Sequence, residues 1–140
     1  MKVSLLRLVG LVLALCLSGA AAAHELRPAF LEIREEVGNL YDVLWKTPAR
    51  GEFRLSLDVV FPKECEDASP VTSEQTGSAI VSRWRIRCVD GLDGRTIGIG
   101  GLSATYTDVL FRLTRRDGTV QTSRLTPEGP EVIVASSPSV

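Results

Sequence analysis

The sequence predicts an all-β fold, a single antiparallel β-sandwich of about seven to eight strands that follows a cleaved signal peptide. Apolar and polar residues alternate in several short segments, and turn-forming residues separate these segments. No stretch after the N-terminal 23 residues has a helical period. Short strands at this spacing are typical of two sheets packed face to face.

The first 23 residues have the composition of a signal peptide. Lys2 and Arg7 supply a positive n-region, residues 8–17 are almost purely apolar, and the small residues that follow end in Ala21-Ala22-Ala23. The apolar run is shorter than the roughly 20 residues of a membrane span. We therefore expect cleavage after the third of these alanines, which makes His24 the first residue of the mature chain.

The rest of the chain predicts one domain outside the cytoplasm. We assign residues 1–23 to the signal peptide, 24–135 to an extracytoplasmic β-sandwich domain and 136–140 to a Pro/Ser tail or linker. The chain has 16 cationic side chains, two of which leave with the signal, and 17 acidic ones, so the mature formal charge is −3. This charge argues against a nucleic-acid partner. Arg83, Arg85 and Arg87 alternate with apolar residues and are interpreted as the solvent face of one strand.

Eight segments are predicted to be strands. The clearest runs from Phe53 to Phe61, where the odd positions are apolar and Arg54, Ser56 and Asp58 lie between them. Trp45 and Trp84 are the large side chains expected to fill the core between the sheets. The predicted strands are 30–35, 41–46, 53–61, 84–88, 96–99, 109–113, 120–125 and 131–135.

Turn signals lie between these strands. Val37-Gly38-Asn39 separates the first two, Pro48–Gly51 joins the second to the third, and Asp117-Gly118 is a hairpin signal between two alternating runs. The longest gap, Lys63–Ser78, is polar and rich in turn-forming residues, and it is predicted to be a loop. Asp90–Gly94 is more typical of a tight turn than of a calcium site, because it has too few carboxylates at the required spacing.

Two cysteines, Cys65 and Cys88, remain once Cys16 leaves with the signal peptide. An even number of cysteines in an exported chain indicates a disulfide. Closing this loop would stabilise the fold by about 3 kcal/mol in the chain-entropy model. A metal pair is the rival interpretation, but neither a CxxC spacing nor a neighbouring histidine supports it.

The sequence contains no catalytic constellation, and we expect a protein that is not an enzyme. Its one histidine lies at the mature N-terminus, an awkward place for an oriented catalytic imidazole. The glycines of Gly98–Gly101 lack the lysine and serine of a phosphate-binding loop. Adjacent acids such as Glu35 and Glu36 would point apart on a strand, as solvated charges do.

The mature N-terminus has the donors of a small metal chelate. After cleavage, the free α-amine and the His24 imidazole would bind a metal through two nitrogens, and Glu25 could add an oxygen. Copper(II) and nickel(II) prefer such ligands. A stand-alone metal site at His24 is therefore one hypothesis, and an ordinary residue after a cleavage site is the other.

Several separated segments resemble the HupE/UreJ family of membrane proteins. They are Ala23–Glu32 (AHELRPAFLE), Tyr41–Gly51 (YDVLWKTPARG), Phe61-Pro62 with nearby Cys65, and Ile97–Leu110 (IGIGGLSATYTDVL), which is similar to a GL-x-x-T-x-T-D-V stretch of the family. The likeness extends over nearly all of residues 24–134.

The resemblance implies an extracytoplasmic β domain that normally precedes a polytopic membrane region. The family is associated with hydrogenase and urease accessory functions and with nickel or cobalt uptake, so the implied partner is a membrane-embedded transport region in the same or another chain. The family's intramembrane helices have no counterpart in residues 1–140. We expect either the ectodomain of such a protein, membrane-tethered at full length, or a free periplasmic protein that binds metal at His24.

Overall fold

The structure is a computed structural model that describes residues 2–16, 27–50, 53–54 and 56–136. In these ranges it has one α-helix, eleven β-strands and a single 3₁₀ turn (Leu102–Ala104). The prediction of an all-β fold built from two sheets is confirmed. The elements are α1 (Lys2–Cys16), β1 (Ala29–Glu35), β2 (Leu40–Arg50), β3 (Phe53–Arg54), β4 (Asp58–Val60), β5 (Cys65–Asp67), β6 (Thr72–Thr76), β7 (Ala79–Cys88), β8 (Thr96–Gly100), β9 (Val109–Thr114), β10 (Val120–Leu125) and β11 (Glu131–Ile133).

The helix α1 lies within the segment predicted to be a signal peptide. Its apolar side chains Val3, Leu5, Leu8, Val9 and Val12 are all exposed. Among the described residues, no helix has both the length and the apolar character needed to cross a membrane. The predicted cleavage site, Ala21–Ala23, lies outside the described residues, as do positions 137–140 of the predicted tail.

The large sheet is built around the long hairpin of β1 and β2. Its order is β10-β9-β1-β2-β7, with β5 and β6 both paired to β7 and the short β3 paired to β2. All pairings are antiparallel except that of β1 with β9. The parallel pairing is the one departure in this sheet from the antiparallel arrangement that the sequence predicts, and it arises because β1 inserts between its own hairpin partner and the later β9–β10 hairpin.

The β9–β10 hairpin turns at the predicted Asp117-Gly118 pair. The Asp117 carboxylate accepts hydrogen bonds from the Thr119 amide at 2.8 Å and the Thr119 hydroxyl at 2.7 Å. These hydrogen bonds lower the pKa of Asp117. Gly118 takes the positive φ that the turn requires, 86°.

The small sheet has the order β11-β8-β4 and packs against one face of the large sheet. Alternate residues of each strand point into the shared core, as the period of two requires. The largest fully buried side chain is Phe111, and Trp45 is also buried. The core further contains Leu31, Ile33, Tyr41, Val43, Ile86, Leu92, Ile97, Ile99, Leu102, Val109, Leu113, Leu125, Val132 and Val134.

One side chain joins the two sheets at their edge. The Gln121 amide nitrogen on β10 donates to the carbonyl oxygen of Ile133 at 3.0 Å, and its amide oxygen accepts from the Ala135 N–H at 2.8 Å. Gln121 therefore forms the hydrogen bonds that a neighbouring strand would otherwise make with the backbone of Ile133 and Ala135, at and beyond the end of β11.

Several segments differ from the sequence prediction. Residues 48–50, predicted to connect two strands, belong to β2, and β7 begins at Ala79 instead of residue 84. The single strand expected at 53–61 is two strands, because β3 pairs in the large sheet while β4 pairs in the small one. The predicted loop at 63–78 contains β5 and β6, which together extend along one edge of β7. Trp84, expected in the core, is only half-buried and contacts Phe61 edge-to-face at a ring separation of 6.3 Å.

Candidate interaction surface

The large sheet has one face in the core and one face directed to solvent. We call the second the outer face. Arg83, Arg85 and Arg87 are exposed on β7, as the sequence predicts, and Arg34 and Arg112 are exposed on β1 and β9. The strand register places these arginines in rows across the sheet. The outer face is therefore charged and is rich in arginine.

Three of these arginines are held by carboxylates. The ion pairs are Arg34–Glu32 at 2.6 Å, Arg85–Asp42 at 2.6 Å and Arg83–Glu74 at 3.0 Å. The hydrogen bond to the Asp42 carboxylate raises the pKa of the Arg85 guanidinium. The pairs Arg83–Glu74 and Arg85–Asp42 are largely exposed on both sides, and in the third pair Arg34 is exposed beside a half-buried Glu32. We therefore expect each pair to contribute little to stability. Their main effect is to set the direction of the guanidinium groups.

A groove of about 680 Å³ runs over this part of the outer face. Leu44 lies among the charged lining residues, and Ser69 and Pro70 form a side of the groove at the connection between β5 and β6. The Ser69 hydroxyl accepts a hydrogen bond from the Arg85 amide at 2.8 Å, which fixes this connection against β7. An apolar side chain among oriented arginines can contact the surface of another macromolecule.

A second exposed feature is the segment 101–109, which we call the Tyr106 loop. It contains the GL-x-x-T-x-T-D-V pattern and connects β8 to β9 through the 3₁₀ turn. Gly101 begins the loop with a φ of 83°, and a Cβ atom there would collide with the carbonyl oxygen of Ser56. Leu102 is fully buried in the core. The start of the loop is therefore fixed by backbone conformation and by burial.

The second half of the loop is held by hydrogen bonds. The Thr105 hydroxyl donates to the carbonyl oxygen of Leu102 at 2.8 Å and accepts from the Thr107 amide at 3.2 Å. Asp108 pairs with Arg124, whose Nε lies 2.7 Å from its carboxylate, and the Asp108 carbonyl accepts from the amide that opens β1. Each residue that the pattern specifies thus has a structural contact.

Tyr106 differs from its neighbours in this loop. Its side chain is 91% exposed, whereas Thr107 is buried and Thr105 is half-buried. An exposed tyrosine on a backbone held at both sides loses little conformational entropy when it binds a partner. Tyrosine is also enriched among the residues that dominate binding energy at protein interfaces. The loop is therefore a second part of the candidate interaction surface.

The structure joins Cys65 on β5 to Cys88 on β7 by a disulfide, the pairing that the sequence predicts. The two residues are directly opposite in the antiparallel register, with Cα atoms 4.0 Å apart. Cys88 is fully buried and Cys65 is half-buried. The bond anchors the start of the β5–β6 segment, which carries Ser69 and Pro70 of the groove.

The residues predicted to bind metal are not part of this interaction surface as the structure describes it. His24 and Glu25 are outside the described residues, so the structure places neither of them. Within residues 2–16, 27–50, 53–54 and 56–136, no group of three or more His, Cys, Asp or Glu side chains is arranged to hold a metal ion. Asp90–Gly94 forms the tight turn that its composition indicates, with Asp90, Gly91 and Gly94 at positive φ.

The groove on the outer face was not predicted, because sequence alternation does not show which strands lie side by side. One local signal was available for its β6–β7 edge. Gly77 and Ser78 separate the polar segment 72–76 from the apolar start of β7 and form a two-residue turn in which Gly77 has a φ of 60°. Gly-Ser at this spacing is a hairpin signal, and it would have placed β6 beside β7.

Comparison with protein-family models finds no match to this chain, and a search of curated proteins finds none either.

Proposed function

We propose that this chain is a non-enzymatic extracytoplasmic accessory domain that serves a membrane-embedded metal-transport region of the HupE/UreJ type. The resemblance to this family implies the membrane partner and the transported metal, nickel or cobalt. The disulfide between Cys65 and Cys88 supports a location outside the reducing cytoplasm. The exposed apolar side chains of α1 support the interpretation of this segment as a signal for export from the cytoplasm.

The observation that carries the proposal is the Tyr106 loop. The residues that the loop's sequence pattern specifies make contacts within the domain. Tyr106 lies between them with its large aromatic side chain exposed to solvent. A domain that acts by contact with a partner needs a rigid, exposed anchor of this kind. We assign Tyr106 to the contact with the membrane-embedded region.

The test is metal accumulation in cells that carry the intact gene and its native membrane partner. Tyr106→Ala should lower nickel or cobalt accumulation several-fold while the melting temperature of the domain stays unchanged. Val37→Ala is the matched control, because Val37 is also an exposed apolar side chain in a turn. If removal of residues 24–136 leaves accumulation unchanged, the proposal is wrong.

A second candidate function rests on the position of His24 directly after the predicted cleavage site. In this version the chain is a free periplasmic protein that binds nickel(II) or copper(II) through the α-amine, the His24 imidazole and an oxygen of Glu25. A titration of the secreted protein should give one metal per chain. Binding should be lost in His24→Ala and in a variant with one extra residue before His24, and binding that survives either change would contradict this function.

A further inference from the structure

A separate groove of about 450 Å³ lies between the start of β1, the end of β2 and the β6–β7 turn. Arg27 and Lys46 line it, together with Thr76, Gly77 and Ser78 of the turn. Among the residues that the structure describes, no carboxylate lines this groove. Two cationic side chains and two hydroxyl groups therefore face one small volume.

Six arginines of the described residues have a carboxylate partner, and these two cations do not. Arg34, Arg83, Arg85, Arg95, Arg115 and Arg124 each have a carboxylate partner. The guanidinium of Arg27 instead donates to the neutral hydroxyl of Ser78 at 2.6 Å. In the part of the chain that the structure describes, Lys46 has no ion pair.

The carboxylates on the strands near Lys46 on this face of the sheet are already engaged, because Glu32 binds Arg34 and Glu74 binds Arg83. Glu74 lies on β6 two residues before Thr76, and it binds Arg83 at 3.0 Å. The register places Val81 of β7 between Glu74 and Lys46. No carboxylate of the described residues therefore compensates the positive charge of Arg27 and Lys46 within the groove, and an anion placed there would gain from both groups.

The hydrogen-bonding groups of the groove are mainly donors. The Ser78 hydroxyl accepts from Arg27, so its own hydrogen is available for a ligand. Arg27 keeps further N–H groups in a planar arrangement that matches two oxygens of one acid group. Lys46 adds three more donors. Oxygen atoms that carry negative charge suit this set best.

We infer that this groove, formed by Arg27, Lys46 and the Gly77-Ser78 turn, is a binding site for a small oxyanion, a carboxylate or a phosphate group. The inference does not depend on the proposed function, because it uses neither Tyr106 nor a metal. The geometry is shallow and both cations are exposed, so we expect dissociation constants in the millimolar range.

The experiment is an NMR titration of the secreted full-length chain with sodium phosphate and, separately, with sodium citrate at constant ionic strength. Saturable shifts are expected at the amides of Thr76, Gly77 and Ser78. Lys46→Met should weaken binding about tenfold, which corresponds to the loss of one charge-assisted hydrogen bond. Lys46→Arg should keep it. Lys63→Met is the matched control, since Lys63 is an exposed lysine outside the groove.

The two anions distinguish the sources of the acid group. Saturation by phosphate alone assigns the site to phosphate groups, and saturation by citrate alone assigns it to carboxylates. Shifts that stay linear with both anions would overturn the inference. Equal affinities of Lys46→Met and Lys63→Met would also overturn it, because Lys46 would then have no role in binding.

Discussion

Gly101 shows how a single residue sets the path of the chain between the two sheets. Its φ of 83° lies in the region that side chains with a Cβ avoid, and the carbonyl oxygen of Ser56 occupies the space that a Cβ would need. Ser56 precedes β4 of the small sheet, so this close approach holds the Tyr106 loop against the crossover from β3 to β4.

Gly101→Ala should therefore lower the free energy of unfolding by more than the backbone strain alone, which is about 1–2 kcal/mol for a residue in the left-handed region. Gly118→Ala is the control, because Gly118 has a φ of 86° but open space around its Cα. Denaturant unfolding measures both variants. Equal losses would show that the Ser56 contact has no energetic effect.

Tyr41 has a buried hydroxyl with a defined backbone partner. The hydroxyl accepts a hydrogen bond from the Leu92 amide at 3.2 Å. Burial, followed by the negative charge of Glu35, raises the pKa of Tyr41 above its ordinary value. The folded protein thus holds the phenol proton more tightly than the unfolded chain does. The resulting stabilisation is present below the ordinary pKa of tyrosine and is lost as the pH rises through the raised value.

Tyr41→Phe should destabilise the protein at neutral pH by about 1–3 kcal/mol, because the buried Leu92 amide loses its acceptor. The free energy of unfolding should also fall less steeply with rising alkaline pH in the variant than in the wild-type protein, because the titrating phenol is gone. Unfolding free energies measured from pH 8 to pH 11 check both effects. An identical alkaline slope in the two proteins would show that Tyr41 does not titrate with unfolding.

At the scale of elements, alternation predicted most strands and the face that each buries. Leu57, Val59 and Phe61 do point towards the core, as their spacing indicates, although the strand that carries them is broken. The break in the predicted strand 53–61 and the parallel pairing of β1 with β9 depend on contacts between residues far apart in the chain. The local alternation of apolar and polar residues does not encode such contacts.

The strands β5 and β6 were missed for a different physical reason. Thr72, Ser73, Glu74, Gln75 and Thr76 are all exposed, so this edge strand has no apolar face to produce an alternating signal. Its pairing with β7 comes from backbone hydrogen bonds and from polar contacts such as that between the Ser73 and Ser82 hydroxyls at 2.7 Å. The groove that this edge helps to form could not be predicted without it.

Gln121 gives a test of how the two sheets are joined at the β10 edge. Gln121→Leu removes one donor and one acceptor for the backbone of residues 133 and 135, and we expect a loss of about 1–2 kcal/mol in unfolding free energy. Amide exchange at Ala135 should become faster. Thr122→Leu is the control on the exposed side of the same strand, and an equal effect of both changes would contradict the role given to Gln121.

At the scale of the whole molecule, the disulfide ties the β5 edge to the core of the large sheet. Replacing both Cys65 and Cys88 by alanine should reduce the unfolding free energy by about 2–4 kcal/mol. The groove beside Ser69 and Pro70 should open first, because the covalent tether of its edge is gone. Hydrogen exchange should show early loss of protection in β5 and β6, and uniform loss over all strands would contradict this order.

We propose that the mature chain begins at His24 and is a disulfide-bonded domain outside the cytoplasm, and mass spectrometry of the native protein after trypsin digestion without reduction tests this proposal. We expect an N-terminal peptide His24–Arg34 and a disulfide-linked pair of peptides, Glu64–Arg83 with Cys88–Arg95. Peptides that retain residues before His24, or alkylated free thiols at Cys65 and Cys88, would show that the proposal is wrong.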